Sequence, residues 1–279
     1  MIDLSAFETV ATGLDHPEGI ALGPDDRVYA GGEAGQIYAI GPDGSAEEIA
    51  STGGFIYGVA LDGNGNVYAC DYGNASVMRV SPSGDVETYS TGTAEVRMRV
   101  PNFPAFDDAG ALYVTDSGEW GDDDGLVYRI APGGETEIWT SAVPRFPNGC
   151  ALDAEGGFLY VIESRGRSIS RIGIRDDRAA GDPEVVVELP GSQPDGLSFA
   201  DDGTLFVGCY RPDRIYRVSA EGAVDVLAED PDGVILNQPT NVAFTGPGLG
   251  RLAVSSLGGW SIVAAVVGMA GLPLRYPKL

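Results

Sequence analysis

The sequence predicts an all-β fold: a six-bladed β-propeller with four-stranded blades, the last blade closed by the N-terminal strand. Three observations predict it. A unit of roughly 40–50 residues, the length of a propeller blade, recurs six times. Each unit alternates short apolar strands with Gly/Asp turns, the residues that accept positive φ in hairpins. No window carries the 3.6-residue periodicity of an amphipathic helix. The 41 glycines and 18 prolines of the 279-residue chain suit a fold made of many turns. The period runs through the whole chain, so residues 1–279 are read as one domain; a pair of β-sandwiches has no reason to keep so constant a spacing.

The first two strands of the units are PEGIALGPDDRVYAGG from Pro17, IYGVALDGNGNVYACD from Ile56, PNFPAFDDAGALYVTD from Pro101, PNGCALDAEGGFLYVIE from Pro147, PDGLSFADDGTLFVGC from Pro194 and PTNVAFTGPGLGRLAVSS from Pro239. A third strand follows each pair: QIYAI, VMRVS, LVYRI, SISRI, RIYRV and SIVAAV. A fourth follows the first five: EEIAS, VETYS, TEIWT, EVVVEL and VDVLA. The sixth unit lacks one, but FETVATG precedes the first unit and has the same character. Residues 6–12 are therefore expected to complete blade six, leaving no open sheet edge between the chain's two ends. The terminal GLPLRYPKL reads as an extended tail packed on the body.

The second residue of each unit draws attention. These are Glu18, Tyr57, Asn102, Asn148, Asp195 and Thr240, spaced by 39, 45, 46, 47 and 45 residues. Equivalent points on the first strands of a propeller converge on the central channel. A glutamate at the lip of the buried run Ile20-Ala21-Leu22 is costly unless something binds it. Glu18, Asn102, Asn148 and Asp195 offer two carboxylates and two amide oxygens, a hard all-oxygen set. Such a set suits one divalent cation, calcium first, with magnesium, manganese or zinc as alternatives. Asp71, Asp116 and Glu163, at the ends of second strands, are read as loop caps or partners of Arg; Asp122-Asp123-Asp124 is read as a solvated loop and His16 as a rim residue.

Composition excludes several classes. The net charge of −24 repels nucleic acid and anionic membranes, so neither is an expected partner. Of the 17 basic residues only Lys278 is a lysine, a bias that fits either a salt-rich cytoplasm or a GC-rich genome. Cys70, Cys150 and Cys209 have no metal-type spacing and sit within apolar strands, where they are expected as buried thiols. MIDLSAFETV has no apolar leader core, and IVAAVVGMAG falls short of the ~20 residues that span a bilayer, so the expected location is cytoplasmic. With one histidine and no nucleophile elbow, covalent serine catalysis is not indicated.

PEGIALGPDDRVYAGG, VPNFPAFDDAGALYVTDSG, FPNGCALDAEGGFLYVIES and QPDGLSFADDGTLFVGC resemble the gluconolactonase / senescence marker protein / luciferin-regenerating-enzyme family over nearly the whole chain. The resemblance implies a six-bladed propeller with one functional divalent metal, held by Glu18, Asn148 and Asp195, with Asn102 joining the metal or touching substrate. It implies a lactonase that opens a cyclic ester such as a sugar lactone to its hydroxy acid, with Asp195 as the base. Arg99, Asn102, Tyr57 and Glu119 are then the substrate-binding candidates. Arg99 lies three residues before Asn102, whereas the family's sugar-gripping Arg lies two before. Alternatives are an organophosphate-cleaving propeller of the diisopropylfluorophosphatase type, a strictosidine-synthase-like propeller, and a non-enzymatic ligand-binding propeller with a structural ion. The phosphatase type places a His near the sixth inner strand, where this chain has QPTNVAF. The expected partner is a small-molecule lactone, and the expected assembly a monomer or small homo-oligomer.

Overall fold

The computed structural model describes residues 1–279 and contains six four-stranded antiparallel sheets. Blades one to five each use four consecutive strands, with first strands Ile20–Leu22, Ile56–Leu61, Pro101–Phe106, Pro147–Leu152 and Gln193–Phe199. Blade six combines Pro239–Thr245, Arg251–Ser256 and Ser261–Val266 with the N-terminal strand Glu8–Thr12, which pairs antiparallel with the third of these. The closure expected from FETVATG is therefore present. There are no α-helices, only two short 3-10 turns, and no helix is long and apolar enough to cross a membrane.

Alternation explains why the strands read as nearly continuous apolar runs. Each inner blade strand is buried on both faces, and successive side chains point to opposite neighbours. On the second strand of blade three, Tyr113 packs toward blade four while Val114 packs toward blade two. The buried apolar residues fall into six clusters, one at each blade–blade interface. Cys70, Cys150 and Cys209 belong to these clusters as free thiols, and burial raises the pKa of each.

In blades one to five the turn between first and second strands is built by aspartate. Asp62 accepts from the backbone N–H groups of Asn64 and Asn66, both at 2.9 Å, and Asp107 does the same for Ala109 and Ala111 at 2.9 Å. Gly110, at φ 88°, occupies the left-handed position that this turn requires.

Antiparallel topology gives the propeller two distinct ends. First strands start at one end; the loops joining second to third strands and fourth to first strands return to that same end. The first hairpin turns lie at the other. There the C-terminal tail crosses the channel and touches every blade. Asp201 donates its N–H to Ala270 O at 2.9 Å, Gly271 donates to Leu249 O at 2.9 Å, and Tyr276 donates to Leu22 O at 2.7 Å. Gly63 donates to Pro277 O at 2.7 Å, and Arg275 pairs with Asp108 at 3.1 Å while donating to Asp153 O at 2.7 Å. Above the tail, Leu22, Leu61, Phe106, Leu152, Phe199 and Phe244 help enclose an axial cavity of about 330 Å³.

Candidate metal centre

The six ring residues stand at the starts of the inner strands, and contacts link each to the next around the mouth. Gly19 donates its N–H to Tyr57 O at 2.9 Å. A Cβ on Gly58 would lie 2.6 Å from Asn102 O, one on Gly149 2.7 Å from Asp195 O, and one on Gly196 2.8 Å from Thr240 O. Thr115 Oγ1 donates to Asn148 O at 2.7 Å, joining blades three and four. Thr240 Oγ1 donates to Glu18 O at 2.8 Å and closes the circle. At Gly19, Gly58, Gly149 and Gly196 glycine is thus required by close contact with the next blade, whereas Phe103 and Asn241 follow Asn102 and Thr240.

The two ring asparagines are held in a defined orientation. Asn102 Nδ2 donates to Ser117 Oγ at 3.0 Å, and Ser117 Oγ donates to Pro147 O at 2.8 Å. Asn148 Nδ2 donates to Ser164 Oγ at 3.1 Å, and Ser164 Oγ donates to Pro194 O at 2.6 Å. A hydroxyl that has spent its only proton on a carbonyl must accept from the amide, so in each case the NH₂ faces the serine. Neither amide oxygen accepts a hydrogen bond from the protein, so each is free to bind a ligand. Both asparagines are buried, at 3 % and 5 % exposure.

The carboxylates supply the charge. Burial raises Glu18 to about 7. Asp195 is also raised, first by burial and then by the negative charge of Glu18, with the Asn148 amide opposing. No basic side chain contributes to either. Two carboxylates close enough to repel each other, with two amide oxygens free of protein donors and no protein cation, fit a hard divalent cation. Tyr57 stands beside them; burial first, then the charge of Glu18, raises its phenol, which stays protonated.

The remaining predicted residues divide. Thr240 is consumed in linking blades. Arg99 is turned away from a free role: Nη1 pairs with Asp124 Oδ2 at 2.7 Å and Nη2 donates to Asp124 O at 3.1 Å. Glu119 is exposed in the same loop, its N–H donating to Asp124 Oδ1 at 3.0 Å. The Asp122–Asp124 segment is pinned more firmly than a solvated loop, because Asp123 also pairs with Arg165. Asp71, Asp116 and Glu163 do cap loops: Asp116 accepts from the N–H groups of Arg99 and Val100 at 2.8 and 3.0 Å, and Glu163 from Arg145 N–H at 2.9 Å. His16 has both ring nitrogens engaged, Nε2 by Trp260 Nε1–H at 3.1 Å and Nδ1 by Asp15 at 3.0 Å and Glu33 at 2.7 Å.

Sequence reasoning missed the serines. Their signal is the acid–Ser pair that ends the second strand only in the two asparagine blades, Asp116-Ser117 and Glu163-Ser164.

No curated protein sequence matches this chain significantly. Among solved structures, a gluconolactonase from Xanthomonas campestris superposes with a TM-score of 0.80 at 20 % identity, covering 93 % of this chain and 89 % of that one. A luciferin-regenerating enzyme superposes with a TM-score of 0.81 at 18 % identity, covering 98 % and 99 %. A calcium-binding protein, regucalcin, from Agrobacterium tumefaciens gives 0.77 at 15 % identity, covering 98 % of each chain. At these identities the likeness establishes the propeller fold. Residues 3–40 match the strictosidine synthase-like N-terminal family model, and residues 93–258 match the SMP-30/Gluconolactonase/LRE-like region. The latter match spans more than half of the chain, which therefore belongs to the SMP-30/gluconolactonase/LRE-like family.

Proposed function

We propose that the protein is a divalent-metal-dependent lactonase that opens a small cyclic ester to its hydroxy acid. One observation carries this reading: two carboxylates and two serine-oriented amides converge on the mouth with no protein cation among them. Family membership supports hydrolytic chemistry on lactones, and the gluconolactonase fold neighbour supports it further.

Glu18, Asn102, Asn148 and Asp195 would hold the ion, calcium being the best match to an all-oxygen donor set. When bound there, a dication supplies Lewis acidity to the lactone carbonyl and stabilises negative charge developing on its oxygen. Asp195 orients the attacking water and takes its proton; carbonyl attack then breaks the acyl C–O bond and the proton passes to the leaving ring oxygen. Ligation lowers a carboxylate's basicity, so Asp195 acts chiefly by orientation. Asn102 and the Tyr57 phenol border the space in which the substrate sits. Arg99 is committed to Asp124, so its part is to hold the loop that carries Glu119.

Stripping with EDTA, followed by add-back of calcium, magnesium, manganese or zinc and assay on a panel of aldonolactones, tests the reading. Activity is expected to vanish and return with the ion. Asp195→Ala is expected to abolish turnover and weaken calcium binding while the far-UV circular dichroism stays that of the parent. Wild-type turnover in that variant overturns the assignment.

A further inference from the structure

Four aromatic side chains stand out as exposed, and three of them, Tyr72, Trp120 and Trp260, at 43, 46 and 50 % exposure, lie in loops that join a second strand to a third. Those loops return to the end of the propeller that carries the ring residues. Each aromatic is seated on a residue at the mouth. Tyr72 stacks on Tyr57, itself a ring residue, with centroids 5.3 Å apart and planes 9° from parallel. Trp120 packs edge-on against Phe146, two residues before Asn148, at 4.8 Å. Trp260 lies 4.8 Å from His16, two residues before Glu18, and donates its indole N–H to that imidazole at 3.1 Å. The three occupy different loops, in blades two, three and six.

The polar equipment of the same mouth is largely spent. Arg99, Arg145 and Arg165 pair with Asp124, Glu163 and Asp123 respectively. Asp15 and Glu33 hold His16. These three guanidinium forks are not free to grip the hydroxyls of a sugar or the carboxylate of an anionic lactone; Arg97 and Arg167, exposed in other loops at this end, have no acid partner, but the net charge of −24 disfavours anions. Exposed aromatic faces recognise flat or apolar bodies, and an exposed, anchored ring loses little entropy on binding.

We propose that Tyr72, Trp120 and Trp260 form an aromatic rim that determines specificity, receiving the planar, uncharged body of a lactone fused to or bearing an aryl group. This rests on the lactonase reading of the ring and adds the substrate class. In hydrolysis one water adds across the acyl C–O bond; for a fused lactone whose ring oxygen is borne by the aryl ring the products are a carboxylic acid and a phenol.

The calcium-loaded full chain is assayed on 3,4-dihydrocoumarin and on D-glucono-δ-lactone. The expected result is about tenfold higher kcat/KM for dihydrocoumarin, carried mainly by a lower KM. Tyr72→Ala, Trp120→Ala and Trp260→Ala are each expected to raise the dihydrocoumarin KM by about three- to tenfold, with kcat less affected and Tyr72→Phe restoring the parent value. A preference for gluconolactone, or alanine variants that leave the selectivity ratio unchanged, overturns the rim. A chain that turns over no lactone with any ion refutes the lactonase reading. In that event, quenching of tryptophan fluorescence by dihydrocoumarin decides the rim separately: saturable quenching that Tyr72→Ala weakens supports it, and its absence ends it.

Discussion

Asn148 donates its amide to Ser164 Oγ at 3.1 Å, and Ser164 passes its own proton to Pro194 O at 2.6 Å, so one serine both fixes the amide orientation and ties blade four to blade five. The same arrangement joins Asn102, Ser117 and Pro147 one blade earlier. An amide that could rotate freely would present NH₂ to a cation half of the time. The hydroxyl removes that choice.

Ser164→Ala removes the amide's partner. Loss of an orienting partner behind a metal ligand costs about 10- to 100-fold in affinity. Calorimetric titration of calcium into the variant is expected to show a loss in that range, against about 1 kcal/mol in unfolding stability from the lost bond to Pro194 O. Unaltered calcium affinity would show that the amide needs no such guide.

Gly149→Ala places a methyl 2.7 Å from both Asp195 O and Gly196 Cα. Both neighbours are backbone, so relief requires moving a strand rather than a rotamer. A loss of about 1–3 kcal/mol in denaturant unfolding is expected, together with weaker calcium binding. Gly157→Ala, where no atom lies within 4 Å of the added methyl, is the control. Equal behaviour of the two variants would remove the argument for backbone contact at the ring.

The raised carboxyl of Glu18 sets a pH dependence of the metal-free fold. Its folded value, about 7, lies above the ordinary value of 4.5. Stability from this group is therefore fully present below pH 4.5 and is lost as pH rises through 7. In chelator, the melting temperature is expected to fall between pH 5.5 and pH 8, by an amount on the order of 1–3 kcal/mol in stability after allowing for partial solvent access. Glu18→Gln flattens that slope, and saturating calcium opposes it because the ion holds both carboxylates ionised. A slope that survives Glu18→Gln unchanged would assign the effect to Asp195, itself raised by burial, or to the acidic surface.

Deleting residues 272–279 removes the contacts to blades one to four, and the Leu272 bond to Phe199 O of blade five, while sparing the mouth. Circular dichroism on heating is expected to show a lower melting temperature with the β-signal at low temperature preserved. An unchanged melting temperature would reduce the tail to surface decoration.

Much of this was legible in the sequence because a propeller writes the same sentence six times. A period near 45 residues, alternating burial and Asp/Gly hairpins are local signals, and they specified blade number, strand order and the N-terminal closure. The ring was legible for the same reason, since symmetry turns equal register into spatial convergence. What escaped notice depends on loops that differ between blades. Nothing local to Arg99 says that Asp124, 25 residues on, will claim it. Ser117 and Ser164 were visible as letters, yet their role exists only because the next blade's carbonyl lies within reach. The path of residues 270–279 follows from no periodicity at all.

That path has a mechanical consequence. Six wedges held by side-chain clusters alone could splay outward at either end. A cross-tie under one end turns any splaying into a tilt about that tie, so the width of the opposite opening is governed from the far pole.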